Sequence, residues 1–257
     1  MTRTSAPRDR RERIRERVVD EGFVRIEQLA EELRVNPMTI RRDLDHLQSQ
    51  GWLRKVRGGA TAQPSAVHHG DVRHRTRAMA EEKEQLARAA LRLVRPGHAI
   101  ILDESTTALA LSALLPQRAP LTVITNFLPV IHGLAGSPGI DLIALGGAYY
   151  PAYDAFLGLR TVDGVRTLHA DLLFMSTTAV TRGHCYHQSQ ETVAVKRALM
   201  EVSDRSVLML DHTKFRRRGL FQLAPLTAFD HVLVDDGTDA ALVRSMRTEG
   251  IDVSVAG

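Results

Sequence analysis

The sequence predicts an α/β protein of two parts, a small helical module followed by a larger domain built on a mostly parallel sheet. Residues 1–60 show helical apolar periodicity and end in a basic, glycine-rich hairpin pattern. Residues 80–257 alternate short apolar runs with amphipathic stretches, which is typical of parallel strands covered by helices. Residues 61–79 are rich in Thr, Gln, Pro, Ser and paired His, and we predict a linker there.

Three helices are predicted in the small module. The first begins at Pro7, and its inward residues are Ile14, Val18 and Val19. The second carries an apolar face with the spacing i, i+3, i+4 and i+7, at Ile26, Leu29, Ala30 and Leu33. The third begins at Pro37, because Asn36 is a preferred N-cap residue and the following proline keeps it out of the α region. Its inward stripe consists of Ile40, Leu44 and Leu47.

A basic hairpin follows the third helix. Gly51 is predicted to end that helix, Trp52 and Leu53 to anchor the hairpin, and Gly58-Gly59 to form its turn. This layout is typical of a winged helix-turn-helix, which places one helix in the DNA major groove. A small helical hairpin with a solvated basic face is the alternative. The candidate DNA contacts are the outward residues of the third helix and the basic residues of the hairpin: Pro37, Met38, Thr39, Arg41, Arg42, Arg54, Lys55 and Arg57.

The charge distribution supports a double-stranded DNA partner. Residues 1–60 contain 14 of the 34 Lys and Arg residues and 10 of the 30 Asp and Glu residues. The remaining residues contain 20 of each, so the formal net charge of +4 lies entirely in the module. A polyanionic partner requires such a local excess.

Composition excludes several other classes of protein. No apolar run reaches the length of a membrane span and no signal-peptide pattern opens the chain, so we expect a cytoplasmic protein with no membrane partner. The single cysteine, Cys185, excludes an internal disulfide framework. Together with His184 and His187 it supplies too few ligands for a zinc site, so we expect no metal and no cofactor.

The larger domain is predicted to contain seven strands and five helices. The apolar runs are at 99–102, 121–124, 140–145, 172–175, 206–210, 231–234 and 251–255. The helical stretches are at 80–94, 107–115, 128–135, 191–203 and 239–249.

Polar residues follow five of these strands, at the sheet edge where α/β proteins bind ligands. Hydroxyls at a helix start, together with lysines, favour a small, polar, phosphorylated ligand. Helix capping, a tight turn and a solvated lysine are the structural alternatives. The candidate effector-binding residues are Asp103, Ser105, Thr106, Thr107, Thr125, Asn126, Gly146, Gly147, Lys196, Asp211 and Lys214.

Both parts resemble the DeoR family of bacterial transcriptional regulators. In the module the similarity lies in TIRRDL and in the G-x-L-R-x-V-x-G-G-A hairpin. In the larger domain it lies in ILDESTTALA, VITN, ALGG, ETVAVKRALM and LMLDHTKF. The chain departs from the family at Pro37 and Met38, at Ser105, where the family has Gly, and at Glu104, which adds a negative charge. The resemblance implies a sensor domain with the fold of sugar-phosphate isomerases and a phosphorylated sugar or polyol as effector.

These observations predict a regulator rather than an enzyme. We expect a sequence-specific repressor of carbohydrate or polyol catabolism genes, acting as a homo-oligomer, a dimer or tetramer. Residues 1–60 would bind DNA and residues 80–257 would sense the effector. A sugar-phosphate isomerase or deaminase with an appended DNA-binding module is the alternative, but the glycine-rich loop of the similar isomerases is replaced by a His- and Gln-rich segment at residues 183–190.

Overall fold

The computed structural model describes residues 7–21, 23–49, 53–62 and 72–257. The chain divides into two compact units, Met1–Asp71 and Val72–Gly257. Gly51 and Trp52, the predicted helix end and hairpin anchor, lie outside the described residues, as does the side chain of Val19.

The first unit is a three-helix core with a small antiparallel sheet. Its elements are α1 (Pro7–Glu21), β1 (Phe23–Arg25), α2 (Ile26–Glu32), α3 (Pro37–Ser49), β2 (Leu53–Val56) and β3 (Gly59–Ala62). The strands pair in the order β1-β3-β2. Most of the predicted inward residues are buried, including Ile14, Val18, Leu29, Ile40 and Leu44, and so is the predicted hairpin anchor Leu53. Leu33 is only half-buried, and Val24 is buried although it was not predicted to be. The predicted winged helix-turn-helix fold is confirmed.

Polar contacts at two places fix the start of α3 and its packing against α1. Its first turn is capped as predicted, because Asn36 Oδ1 accepts a hydrogen bond of 2.8 Å from the backbone N–H of Met38. Farther along, the buried Asp43 carboxylate accepts hydrogen bonds from Nε of Arg10 and of Arg11 on α1, at 2.6 and 2.8 Å. These two arginines therefore hold α1 against α3, with the side chain of Arg10 buried and that of Arg11 33% exposed.

The hairpin turn lies one residue earlier than predicted. Arg57 and Gly58 form it, and Gly58 has a φ of +79°. Gly59 is instead the first residue of β3, where a Cβ atom would collide with the carbonyl oxygen of Val24 on β1. The first glycine is thus required by conformation and the second by close strand packing.

The second unit is built on a seven-stranded parallel sheet in the order β15-β14-β12-β9-β4-β5-β6. Each of the seven predicted apolar runs is one of these strands. They are β4 (Ala99–Leu102), β5 (Leu121–Thr125), β6 (Ile140–Ala144), β9 (Ala170–Met175), β12 (Ser203–Leu210), β14 (His231–Asp235) and β15 (Val253–Ala256). The predicted mostly parallel α/β architecture is confirmed.

Helices surround this sheet, and five of them match predicted helices. The helices are α4 (Val72–Arg77), α5 (Ala80–Leu91), α6 (Thr106–Ser112), α7 (Leu128–Leu134), α8 (Leu159–Val165), α9 (Gln190–Glu201) and α10 (Ala240–Thr248). Short 3₁₀ helices span Leu115–Arg118, His212–Arg216 and Leu226–Ala228. Among the described residues, none of the helices has the length and apolar character needed to cross a bilayer.

Helices α4 and α8 and two small antiparallel sheets were not predicted from the sequence. One sheet pairs β7 (Ala148–Tyr150) with β8 (Ala155–Leu157), and the other has the order β10 (Ala179–Thr181), β11 (His184–His187), β13 (Phe221–Pro225). These strands are short and lack apolar alternation. The predicted 61–79 linker is also more ordered than expected, since residues 61–62 complete β3 and α4 buries Val72. Residues 63–71 lie outside the described part.

Candidate functional site

The parallel register brings the predicted polar residues together at one sheet edge. Leu102 at the end of β4 pairs with Thr125 of β5 on one side and with Phe174 of β9 on the other. The residues that follow these positions, Asp103 and Asn126, therefore emerge side by side at the carboxyl edge. This is the edge at which parallel α/β sheets bind ligands.

Asp103, Glu104 and Lys196 form a buried ion triad at this edge. Lys196 on α9 contacts a carboxylate oxygen of Asp103 and lies 2.8 Å from Oε1 of Glu104. All three side chains are at most 3% exposed. Lys196 also donates a 3.1 Å hydrogen bond to the carbonyl of Ser176, whose backbone N–H donates to Asp103 at 2.9 Å.

The two carboxylates of the triad compensate the positive charge of Lys196. Burial alone would lower the pKa of Lys196, but the charges of Asp103 and Glu104 raise it above its ordinary value. Burial raises the pKa of Glu104, an effect that Lys196 opposes. With both carboxylates ionised the triad carries one net negative charge. Lys196 therefore contributes no uncompensated positive charge to this edge, because its ammonium is shared by two carboxylates.

A cluster of cations occupies the same unit. We call it the cationic cluster, and it consists of Arg75, Lys83, Lys214 and Arg217. Burial and then the charge of Lys214 lower the pKa of Lys83 to about 8. Burial also lowers the pKa of Lys214, with further contributions from Arg217 and Arg75. The pKa values of Lys83 and Lys214 are thus lowered by burial first and by neighbouring positive charge second, and both effects disfavour the ammonium forms.

Asp211 is the carboxylate that faces this cluster. One of its oxygens lies 3.4 Å from Nζ of Lys214, and the other accepts a hydrogen bond of 3.1 Å from the backbone N–H of Thr213. Burial would raise the pKa of Asp211, but the charge of Lys214 and the Thr213 hydrogen bond lower it overall. Asp211 thus interacts with three cations of the cluster, Lys214, Arg217 and Lys83.

Three members of the cationic cluster, Arg75, Lys83 and Arg217, were not predicted from the sequence. Lys83 carried a readable signal, because it lies on the apolar face of α5, three, four and seven residues before Leu86, Ala87 and Ala90. Lys83 Nζ donates to the carbonyls of Arg75 and Ala78. Arg75 lay in the predicted linker, and Arg217 lies in the run of three arginines at residues 216–218, outside the predicted strands and helices.

The loop after β4 and the start of α6 are tied down by local hydrogen bonds. Ser105 caps α6, since its Oγ accepts from the backbone N–H of Ala108 at 3.1 Å. Asp103 accepts a 3.0 Å hydrogen bond from the N–H of Ser105. Thr106 donates to the carbonyl of Arg75 at 3.3 Å, and Thr107 is buried. The capping alternative describes what Ser105 does in this structure.

Thr125 and Asn126 are buried at the end of β5. Thr125 Oγ1 accepts a hydrogen bond of 3.1 Å from the backbone N–H of Phe127. The Asn126 amide nitrogen donates to the carbonyl of Phe156 at 2.9 Å, while its Oδ1 has no hydrogen-bond partner among the described residues.

Gly146 and Gly147 are exposed beyond the edge strand β6. The carbonyl of Gly146 accepts from the Thr161 hydroxyl at 2.9 Å, and a Cβ atom on Gly147 would collide with that same hydroxyl. Close packing against α8 therefore explains why a glycine stands at position 147, whatever its relation to a ligand.

The candidate DNA surface is formed by α3 and the hairpin. Pro37, Met38, Arg41 and Arg42 are exposed, and Thr39 is half-buried. Lys55 is held against α3: its Nζ lies 2.5 Å from Asp45, and its backbone N–H donates to Gln48 at 2.7 Å. Arg57 is exposed at the turn. The side chain of Arg54 lies outside the described residues.

Two histidine-containing groups bear on metal binding, and the first is Cys185 with its neighbours His184 and His187. Burial raises the pKa of Cys185 to about 12, and His187 accepts a hydrogen bond from the N–H of Ser189. Glu82, His212 and Asp235, a group that sequence analysis missed, place one potential ligand atom each within 4.8 Å of one another. His212 and Asp235 already form an ion pair of 2.5 Å, and that hydrogen bond raises the pKa of His212.

Known families match both units. The family described as "DeoR-like helix-turn-helix domain" matches residues 10–66, and the family described as "DeoR C terminal sensor domain" matches residues 78–236. The second match alone spans more than half of the chain.

Similar proteins extend over most of this chain. The glycerol-3-phosphate regulon repressor of Escherichia coli strain K12 is 30% identical over 86% of this chain and 87% of its own. The L-fucose operon activator of Haemophilus influenzae is 30% identical over 85% of this chain and 88% of its own. Ribose 5-phosphate isomerase A of Methanocaldococcus jannaschii aligns in structure with 54% of this chain and 55% of its own, at 15% identity and a TM-score of 0.40.

The two family matches and the named relatives agree with the winged helix-turn-helix and the α/β domain described above. They support a regulator over the enzyme alternative, since those sequence relatives are named as regulators of transcription. The chain belongs to the DeoR family of transcriptional regulators and joins a helix-turn-helix DNA-binding unit to a DeoR-type sensor domain.

Proposed function

We propose that this protein is a repressor of carbohydrate or polyol catabolism genes, and that a phosphorylated sugar or polyol controls its binding to DNA. The relatives named for glycerol-3-phosphate and L-fucose support this class of target genes. The observation that carries the proposal is the cationic cluster, which faces one carboxylate at the ligand-binding edge of a parallel sheet.

In this proposal the cationic cluster binds the phosphate group. Lys83 and Lys214 have lowered pKa values because burial and like charges disfavour their ammonium forms. A dianionic phosphate placed among them would relieve both effects. Thr106 contacts the carbonyl of Arg75, and with its neighbours Ser105 and Thr107 it would add hydroxyl and backbone contacts. Thr125, Asn126, Gly146, Gly147, Asp103, Lys196 and Asp211 would shape the remainder of the site.

The DNA contacts follow from exposure on α3. Met38, Arg41 and Arg42, with Pro37 and Thr39, would face base edges, and Arg54, Lys55 and Arg57 would contact the backbone. Lys55 would have to share its ammonium with Asp45. A homo-oligomer, a dimer or tetramer, would present two recognition helices about 34 Å apart or a multiple of that, one helical turn of DNA. With DNA as its partner, the protein would act in the bacterial cytoplasm.

The proposed division of labour assigns residues 1–60 to DNA and residues 80–257 to the effector. The effector part would begin earlier than residue 80. Helix α4 belongs to the Val72–Gly257 unit, and its Arg75 lies in the cationic cluster. Residues from 72 onward would therefore belong to the effector-sensing part.

Calorimetric titration of the full chain with phosphorylated sugars and polyols tests the phosphate site. The Lys214→Met variant should weaken binding by about 10- to 100-fold, the range for losing a hydrogen bond to a charged group. Arg216→Met is the matched control, because Arg216 lies on the same 3₁₀ helix but is exposed. Equal affinities in both variants and the wild type would contradict the assignment of Lys214.

A further inference from the structure

We propose that Glu82, His212 and Asp235 bind a divalent transition-metal ion such as Zn²⁺. This inference does not rest on the proposed function, because none of the three residues belongs to the cationic cluster or to the ion triad. It replaces our expectation of no metal, which was drawn from Cys185 and its neighbouring histidines and not from this part of the fold.

The fold brings these three side chains together from distant parts of the sequence. Glu82 lies in the first turn of α5, His212 begins the 3₁₀ helix after β12, and Asp235 ends β14. Strands β12 and β14 are parallel neighbours, with Leu210 opposite Val234. One potential ligand atom from each of the three side chains lies within 4.8 Å of the other two. An ion at about 2.0–2.2 Å from each ligand holds the ligands roughly 3–3.5 Å apart, so small side-chain movements would complete the site.

Contacts around Asp235 and His212 orient both side chains toward each other. Asp235 is fully buried, its Oδ1 accepts a 2.9 Å hydrogen bond from the Thr238 hydroxyl, and its Oδ2 lies 2.5 Å from Nδ1 of His212. Gly237 packs closely against the imidazole, since a Cβ atom there would stand 2.5 Å from Nδ1. Such surrounding contacts are typical of metal-binding side chains. A neutral imidazole that carries its proton on Nε2 would leave Nδ1 for the ion.

The charge and donor set of this group suit a divalent transition-metal ion. The charges of Asp235, Asp211 and Glu82 all favour a positive charge at the His212 ring. Two carboxylates and a neutral imidazole carry a net charge of −2, which a divalent ion cancels. An imidazole nitrogen favours Zn²⁺ and related ions over Mg²⁺ and Ca²⁺, which prefer oxygen ligands alone. Glu82 and His212 are half-buried, so solvent has access to the site and water can complete the coordination.

A second histidine–aspartate pair shows what is particular to this group. His231 Nδ1 lies 2.7 Å from Asp252, and its Nε2 lies 2.8 Å from the Ser254 hydroxyl. That pair has no third ligand within reach among the described residues, whereas the pair of His212 and Asp235 has Glu82. The presence of the third ligand distinguishes a metal site from an ordinary ion pair.

Titration of the untagged, chelator-treated full chain with ZnCl₂ tests the site. Calorimetry in a buffer without phosphate should show one tight Zn²⁺ site per chain, and Mg²⁺ should bind more weakly. Glu82→Gln keeps the size of the side chain but removes its charge, and should weaken this site by about tenfold or more. His212→Gln removes the imidazole but keeps a donor for Asp235, and should have the same effect.

Each variant has a matched control. Glu81→Gln changes an exposed carboxylate in the same turn of α5, and His231→Gln removes the histidine of the other pair. Both controls should bind Zn²⁺ like the wild type. Thermal unfolding gives a second readout, because Zn²⁺ should raise the Tm of the wild type and the controls but not that of Glu82→Gln. A histidine that only pairs with Asp235 would lower the Tm when it is replaced and leave the zinc-dependent rise intact.

Three outcomes would overturn the inference. The first is a wild type without a tight Zn²⁺ site. The second is the same Zn²⁺ affinity in the wild type, Glu82→Gln and His212→Gln, which would place the zinc on other side chains. The third is Mg²⁺ binding as tight as that of Zn²⁺, which would contradict a site for transition metals. The assay contains no phosphate, so none of these outcomes bears on the proposed effector.

Discussion

The ion triad and the cationic cluster each contain a buried lysine, but the pKa values of these two lysines are shifted in opposite directions. In the triad two carboxylates raise the pKa of Lys196. In the cationic cluster burial and a second lysine lower the pKa of Lys83 to about 8. Lys196 has its two carboxylates in place, whereas Lys83 lies among other cations, where an anionic ligand would favour its ammonium form. The difference separates a structural lysine from candidate binding lysines.

The largest expected effect is on the triad. Lys196→Met should lower the free energy of unfolding by about 3–5 kcal/mol, because it leaves Asp103 and Glu104 buried without their cation. Chemical denaturation at pH 7.5 measures this. The variant that also carries Asp103→Asn and Glu104→Gln should recover part of the loss. A Lys196→Met protein as stable as the wild type would contradict the compensated triad.

The arginines of α3 extend the comparison to cations that are exposed and belong to neither cluster. Arg41→Ala or Arg42→Ala should weaken binding to the operator by about 1–3 kcal/mol if the residue contacts a base, and less if it contacts a phosphate. Fluorescence anisotropy with a labelled promoter duplex at fixed salt measures this. Arg244→Ala, an exposed position on α10, is the control. Unchanged affinity in both α3 variants would remove these arginines from the interface.

The smallest expected effect is the pH dependence of phosphate binding. A bound anion favours the ammonium form of Lys83, so above its pKa of about 8 binding must take up a proton. Phosphate monoesters are already dianions in this range. Affinity for a polyol phosphate should therefore fall by about three- to tenfold between pH 7.5 and 9.

Calorimetry at those two pH values measures the fall, and Lys83→Arg is the control because its charge does not titrate there. The Lys83→Arg protein should show little change. A wild type with the same flat profile would show that Lys83 remains compensated in the free protein.

Periodicity was sufficient to predict the frame of both units. The helices of the helix-turn-helix were readable from apolar residues at helical spacing, and the seven strands of the parallel sheet from short apolar runs. Asn36 and Pro37 predicted the start of α3, because an N-cap residue followed by proline favours the beginning of a helix. Strands such as β7 and β10 were missed because they are three residues long and depend on pairing that only the folded chain provides.

The sequence indicated the sheet edge at which the candidate residues lie, but it did not predict the ion pairs among them. Strand ends identified Asp103, Asn126 and Lys214, since parallel strands align their carboxyl ends. Sequence could not show that Lys196 is shared by two carboxylates, because its partners lie about 90 residues away. Arg75 could not be predicted, because nothing in residues 61–79 indicated that α4 would bring it beside Lys83.

The central claim is that a phosphate bound at the cationic cluster changes DNA binding by the helix-turn-helix unit. Anisotropy titrations of the promoter duplex, with and without a saturating polyol phosphate, test it most directly. We expect the dissociation constant for DNA to change at least tenfold in the wild type and not in Lys214→Met. Identical DNA affinity with and without every phosphate that the wild type binds would contradict the account.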